Sequence, residues 1–159
     1  MKKSILMLLS AFGLNAGMAQ STTSTTTNSD SVKPPLSVST KFQNDYPNTN
    51  ATWVMDGDNY AAEYKNMNTN LGTRIIYDMN GNRVSTHNEM GAGKYPVVIG
   101  DYYTTNYPKE IYTVWSSDDE SGNTTYYSKG KENTIWFDKD GKYMSTIPVS
   151  NSKETKTVK

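Results

Sequence analysis

The chain has 159 residues, with 16 basic and 16 acidic side chains, no cysteine and a formal net charge of zero at pH 7. Electrostatic binding to nucleic acid or to an anionic membrane requires a clear basic excess, so neither partner is expected. Without disulfides, the fold must rest on its own hydrophobic core. The 12 Tyr and 3 Trp residues, together with many Asn and Gly residues, favour strands joined by tight turns over a helical bundle.

Residues 1–19 have the pattern of a secretory signal peptide. Two lysines precede an apolar run over 5–14, which is shorter than the about 20 residues that a membrane-spanning helix needs. Gly17 and Ala19 are small residues at the two positions that a signal peptidase requires, so we expect cleavage before Gln20. The sequence therefore predicts a periplasmic or secreted mature protein, with no membrane insertion after cleavage.

Residues 20–35 are predicted to form a disordered linker. The stretch STTSTTTNSDS contains no large apolar residue, so burial cannot offset the entropy lost on ordering it. Its end is similar to the Asp-Ser-apolar pattern used for O-glycosylation in one group of Gram-negative bacteria. Ser31 is therefore a candidate glycosylation site, and an unmodified linker is the alternative. A polar tail is predicted at 148–159.

The linker is followed by one predicted helix and a series of short strands. Val38, Phe42 and Tyr46 have the spacing of one helical face, and Pro47 ends the pattern. The period then changes to that of β-prone runs, at 53–55, 60–65, 73–78 and 83–86. The turn segments DGDN, NMNTNLG and MNGN separate these runs, which predicts an antiparallel meander.

The same order of residues recurs 60 or 61 positions further along the chain. The first set is Val38, Phe42, Tyr46, Pro47, Ile75, Tyr77, Asp78 and Gly81, and the second is Ile99, Tyr103, Tyr107, Pro108, Ile135, Phe137, Asp138 and Gly141. Further strands are predicted at 112–115 and 124–128. We therefore predict an α+β fold of two tandem units, 36–88 and 89–147. Each unit is a helix followed by a three- or four-stranded antiparallel meander, with the helices on one face of the sheet.

The segments FQNDYPNTNATW, YAAEYK, IIYDMNGNRVSTHNEM, YPVVIGDYYTTNYP and IWFDKDGKY together resemble the PepSY-like family of exported bacterial proteins. That family is similar in fold to β-lactamase inhibitory protein (BLIP), itself a tandem repeat of a helix and an antiparallel sheet. The resemblance extends over residues 36–147. It implies an exported protein of this fold, and it implies no activity, because most members of the family have none established.

Patterns that could carry catalysis or metal binding have simpler interpretations. The sequence has no G-x-S-x-G, S-x-x-K or H-E-x-x-H motif. The segments DMNG and DKDG resemble the start of a calcium loop but lack its later ligands, so tight turns are predicted. His87 is expected to be a solvated residue between the units, and Asp118, Asp119 and Glu120 to form a solvated loop. We therefore expect neither an enzyme nor a cofactor.

Alternation along the strands divides their side chains between two faces. Ile75 and Tyr77 share one face, and Ile76 lies on the other. Trp136 holds the position in the second unit that Ile76 holds in the first. If the matched pairs pack on the helices, Ile76 and Trp136 lie on the open face of the sheet, where we expect both to be substantially exposed.

Large apolar and charged side chains on an open face are typical of a protein-binding surface, and cross-strand pairs that merely stabilise the sheet are the alternative. The candidate partner-binding residues are Glu63, Lys65, Arg74, Ile76, Trp115 and Trp136. The sequence thus favours a non-catalytic exported module that binds or restrains a protein partner through the open face. Carbohydrate or cell-wall binding, with Tyr and Trp stacked on sugar rings, is the second hypothesis.

Overall fold

The computed structural model describes residues 31–149, so the predicted signal peptide, most of the predicted linker and most of the predicted tail lie outside the described residues. The elements in chain order are α1 (Leu36–Asp45), β1 (Thr52–Asp56), β2 (Asn59–Lys65), β3 (Gly72–Tyr77), β4 (Arg83–Met90), α2 (Val97–Asn106), β5 (Thr113–Asp119), β6 (Thr124–Lys129), β7 (Asn133–Phe137) and β8 (Tyr143–Pro148).

The eight strands form one antiparallel sheet whose order in space is the order along the chain, β1 to β8. The predicted α+β class and antiparallel sheet are therefore confirmed. Two strands run clearly further than predicted: β5 continues to Asp119, and β4 continues to Met90 past His87, which was expected to be solvated between the units. Pairing with β5 extends β4: Met90 pairs with Val114 and Asn88 with Ser116.

The register of the sheet shows which side chains share a face, since directly paired residues point the same way. Arg74 pairs with His87, Glu89 with Trp115, and Trp115 with Tyr127. We call this side of the sheet the tryptophan face, and it carries Arg74, Ile76, His87, Trp115, Tyr127 and Trp136. The opposite side is the core face, which carries Ile75, Tyr77, Val114, Ile135 and Phe137.

Two clusters of buried residues lie on the core face. Val38 and Phe42 of α1 pack with Ala62, Ile75 and Tyr77. In the second cluster, residues of α2 pack with residues of β5 and β7: Ile99, Tyr103, Val114, Ile135 and Phe137. None of these ten side chains is more than 2% exposed. The burial that helical and strand spacing predicted for Phe42 and Phe137 is thus confirmed.

Three hairpins share one turn geometry. In the first, Oδ1 of Asp78 accepts hydrogen bonds from the backbone N–H groups of Asn80 and Asn82, at 2.9 and 2.8 Å. Oδ1 of Asp119 and Oδ1 of Asp138 accept the equivalent bonds in the other two. A glycine with positive φ completes each turn: Gly81, Gly122 and Gly141. The turn interpretation of DMNG and DKDG is therefore confirmed.

Within residues 31–149, no group of three or more His, Cys, Asp or Glu side chains could hold a metal ion. Over the same residues, neither helix is long and apolar enough to cross a membrane. The described start of the chain runs beside β1, where the N–H of Val32 donates to the carbonyl of Trp53 at 2.9 Å. Ser31, the candidate glycosylation site, is exposed.

Candidate functional site

Arg74 is held by two carboxylates on the tryptophan face. Its Nη1 donates to Oε1 of Glu63 at 2.6 Å, and its Nη2 lies 2.9 Å from Oδ1 of Asp56. Glu63 is the direct partner of Arg74 in the register of β2 and β3, and Asp56 ends the neighbouring strand β1. Because Arg74 is held at two nitrogens and its side chain is only 19% exposed, the guanidinium is fixed in place.

Three aromatic rings from β5, β6 and β7 form a continuous row on the same face. The Trp115 and Tyr127 rings stack with centroids 6.2 Å apart and an angle of 12° between their planes. The Tyr127 and Trp136 centroids are 4.8 Å apart. Tyr127 is buried in the middle of the row, whereas both tryptophans remain partly exposed. The row therefore exposes part of two indole rings, one on either side of a buried tyrosine.

Lys129 lies over this aromatic row. Its ammonium is 4.8 Å from the centroid of Trp115 and 5.7 Å from that of Tyr127. Partial loss of solvation, followed by repulsion from the Arg74 guanidinium, lowers the pKa of Lys129 below its ordinary value. The residue as a whole remains exposed, so the desolvation is incomplete.

Two cavities on the tryptophan face meet at Arg74 and Lys129, which line both. The larger has a volume of about 590 Å³ and is also lined by Glu63, Lys65, Glu89 and Trp115. The smaller has a volume of about 290 Å³ and is also lined by Asp56, His87, Tyr127 and Trp136. We call the two together the groove. It brings together five of the six predicted partner-binding residues: Glu63, Lys65, Arg74, Trp115 and Trp136.

No family model and no curated protein matches the sequence, whereas solved structures match well. A candidate periplasmic protein from Bacteroides eggerthii matches with a TM-score of 0.64 and 14% identity, over 78% of this chain and 95% of that chain. A DUF2874 family protein from Bacteroides ovatus matches with a TM-score of 0.61 and 16% identity, over 77% and 93%. A BLIP-like protein from Bacteroides fragilis matches with a TM-score of 0.53 and 17% identity, over 79% and 94%.

The chain has a BLIP-like fold. The fold that the sequence resemblance implied is therefore confirmed, and the PepSY-like family itself stays a prediction. At identities of 14–17% the likeness concerns the fold and carries no residue roles.

Ile76 lies on the predicted face of this BLIP-like fold, but the expectation that it is exposed was wrong. It is 5% exposed and packs with Val54 and Ala61 in a third buried cluster. The three residues are direct partners across β1, β2 and β3, so each covers its neighbours. Ile76 therefore supports the sheet beneath the site and lines neither cavity of the groove. Trp136 is half-buried, less exposed than expected from strand alternation.

His87 was expected to be solvated, and the structure places it instead within β4, 9% exposed, beneath the aromatic row. Its Nδ1 lies 3.1 Å from the hydroxyl of Tyr127, and its Nε2 lies 2.9 Å from the hydroxyl of Ser85. Burial, and secondly the Arg74 guanidinium, lowers the pKa of His87 to about 4. A neutral imidazole thus fixes the tyrosine by a hydrogen bond. Continued alternation through Ser85, His87 and Glu89 could have indicated that His87 lies in a strand, whereas its burial depends on Tyr127.

The acidic segment after Trp115 also differs from its prediction as a loop. Asp118 and Asp119 belong to β5, and Glu120 begins the turn. The Asp118 carboxylate accepts a hydrogen bond from the hydroxyl of Thr124 at 2.5 Å. Hydrogen bonds from Asn123 lower the pKa of Asp119. Both carboxylates are therefore engaged in the hairpin and do not form an acid/base pair.

Proposed function

We propose that this chain is a non-catalytic exported binding module that holds a protein partner in the groove of the tryptophan face. The observation that carries the proposal is the row of Trp115, Tyr127 and Trp136 beside the fixed guanidinium of Arg74. Trp, Tyr and Arg contribute most of the binding energy in protein interfaces, above all when neighbouring contacts already hold them in place. Because neighbouring contacts already hold these side chains in place, they would lose little conformational entropy when a partner binds.

The proposed architecture is two tandem units whose helices share the core face. Packing of Phe42 and Tyr103 on that face supports this arrangement, which leaves the tryptophan face to a partner. In each unit a hairpin glycine lies against the start of the helix: Gly81 lies against Ser37, and Gly141 lies against Pro96. The predicted signal peptide supports a periplasmic or secreted location, as does the likeness to a candidate periplasmic protein.

The contacts of His87 support a role in binding rather than catalysis. Ser85 and His87 form a contact that could activate a nucleophile, but the second ring nitrogen meets the Tyr127 hydroxyl and not a carboxylate. A general base works best with a pKa near the working pH, and the pKa of His87 is lowered to about 4. The imidazole is therefore suited to hold the aromatic row in place.

Photo-crosslinking from the rim of the groove tests the proposal. A benzoylphenylalanine at Lys65, which lines the groove, should give a discrete covalent adduct with one protein of a periplasmic extract. The same label at Lys139, an exposed residue of the β7–β8 hairpin, is the matched control and should give none. Trp136→Ala should abolish the Lys65 adduct. Identical adducts from both positions, or an adduct that survives Trp136→Ala, would contradict the proposal.

Carbohydrate binding is the second candidate, favoured by the amide and hydroxyl groups of Asn50, Thr52 and Thr73 that line the larger cavity beside Trp115. Exposed indoles stack on sugar rings, and such groups bind sugar hydroxyls. Co-sedimentation with insoluble peptidoglycan separates the two functions. Sedimentation that Trp136→Ala abolishes, without any protein adduct from Lys65, would replace the leading proposal with this one.

A further inference from the structure

The charged side chains of the groove are not equally satisfied. Arg74 is paired with both Asp56 and Glu63. The carboxylate of Glu89 accepts a hydrogen bond from the N–H of Gly72 at 2.8 Å. The ammonium of Lys129, in contrast, makes no salt bridge with any carboxylate of residues 31–149. The groove thus holds a cation whose hydrogen-bond donors lack an anionic acceptor.

This cation lies in a defined place. Lys129 lines both cavities, and its ammonium is within 6 Å of the ring centres of Trp115 and Tyr127, which is the range of a cation–π interaction. Trp115 is itself confined by the backbone of Gly72. The ammonium is therefore held over a packed aromatic platform at the junction of the two cavities, next to the Arg74 guanidinium.

We propose that the groove binds an acidic side chain, Asp or Glu, of the protein partner through the ammonium of Lys129. The inference rests on the proposed function and names the chemistry of the partner: an acidic segment that places one carboxylate between Trp115 and Trp136. An anion at this place would supply the missing acceptor. It would also offset the repulsion between Lys129 and Arg74, which contributes to the lowered pKa of the lysine.

The net charge of the mature chain opposes the binding of an acidic ligand. Once Lys2 and Lys3 leave with the predicted signal peptide, the mature chain carries 14 basic and 16 acidic side chains. Non-specific electrostatics would therefore favour a basic ligand. A preference for an acidic ligand must come from a local arrangement such as the one around Lys129.

The test uses two commercial copolymers as probes, poly(Glu,Tyr) and poly(Lys,Tyr), with the mature chain. Poly(Glu,Tyr) should change the tryptophan fluorescence and compete with formation of the Lys65 adduct, because Trp115 lies beneath the ammonium. Lys129→Met keeps most of the apolar stem and removes the charge, and it should weaken binding by about 10-fold or more. Lys129→Arg should retain most of the affinity. Lys139→Met, at the exposed hairpin, should bind as the wild type does.

Stronger binding of poly(Lys,Tyr), equal binding of the two polymers, or wild-type affinity in Lys129→Met would overturn the inference. Unfolding midpoints of the variants should be measured first, and Lys129→Gln, a second uncharged variant, replaces Lys129→Met in the comparison if Lys129→Met is unstable. The experiment distinguishes failure of the acidic-ligand inference from failure of the proposed protein-binding function. A Lys65 adduct that needs Trp136 but not the charge of Lys129 would refute the acidic ligand alone, whereas loss of any groove-specific adduct would refute the protein-binding function.

Discussion

The indole of Trp115 occupies the space beside Gly72 where a side chain would otherwise lie. A Cβ atom on Gly72 would be 2.6 Å from Cη2 of Trp115 and 3.1 Å from Oε2 of Glu89. Both separations are shorter than ordinary van der Waals contacts of a Cβ atom, so a larger residue at position 72 would displace the ring or the carboxylate. The larger cavity of the groove therefore depends on a glycine.

Gly72→Ala is expected to displace Trp115 from its contact with Tyr127 and to lower the free energy of unfolding by about 1–3 kcal/mol through overpacking. Fluorescence emission and urea unfolding measure the two effects. Gly100→Ala is the matched control, because a Cβ there meets nothing within 4 Å and the position is helical. It should raise stability by about 0.5–1 kcal/mol. Unchanged emission in Gly72→Ala would show that the ring is not confined.

Ile76→Ala should destabilise the protein by about 2–5 kcal/mol, because it leaves a cavity between Val54 and Ala61. Urea unfolding measures the loss. The structure thus reverses the expectation, derived from the sequence, that Ile76 is substantially exposed. A loss below about 1 kcal/mol would mean that Ile76 is not part of a packed cluster.

Two hairpin glycines with nearly the same φ separate backbone strain from packing. Gly122 has φ +82° and a Cβ there would meet nothing within 4 Å, whereas a Cβ on Gly141, at φ +83°, would lie 2.8 Å from Cβ of Pro96. Gly122→Ala should cost about 1–2 kcal/mol from the left-handed conformation alone. Gly141→Ala should cost about 1–3 kcal/mol more, because it presses on the start of α2. Thermal or urea unfolding would detect the difference, and equal losses would refute the close contact.

His87 should make stability depend on pH. Burial lowers its pKa from 6.5 to about 4, so between these values the unfolded chain binds a proton that the folded chain does not. Stability should therefore fall as the pH falls from about 6.5 to about 4, by up to about 3 kcal/mol from this residue. Urea unfolding of wild type and His87→Gln across this range measures the effect. Parallel curves for the two proteins would show that the imidazole is not buried in its neutral form.

The sequence by itself determined the features that depend on neighbouring residues. Helical spacing identified Phe42 as buried, and turn chemistry identified the hairpin at Gly141. Strand alternation placed Trp136 on the face opposite Phe137. Each of these follows from the local backbone period or from the positive φ that glycine tolerates, so no distant contact is needed to predict it.

Only the tertiary structure decided how far the side chains of the tryptophan face are covered. Ile76 is buried by partners on β1 and β2, and His87 by Tyr127, which is 40 residues further along the chain. The groove likewise joins Arg74 of β3 to Lys129 of β6. Alternation gives the direction of a side chain but not the size of its cross-strand neighbours. Which neighbours lie beside a side chain depends on the register of the strands, and pairing between residues far apart in sequence sets that register.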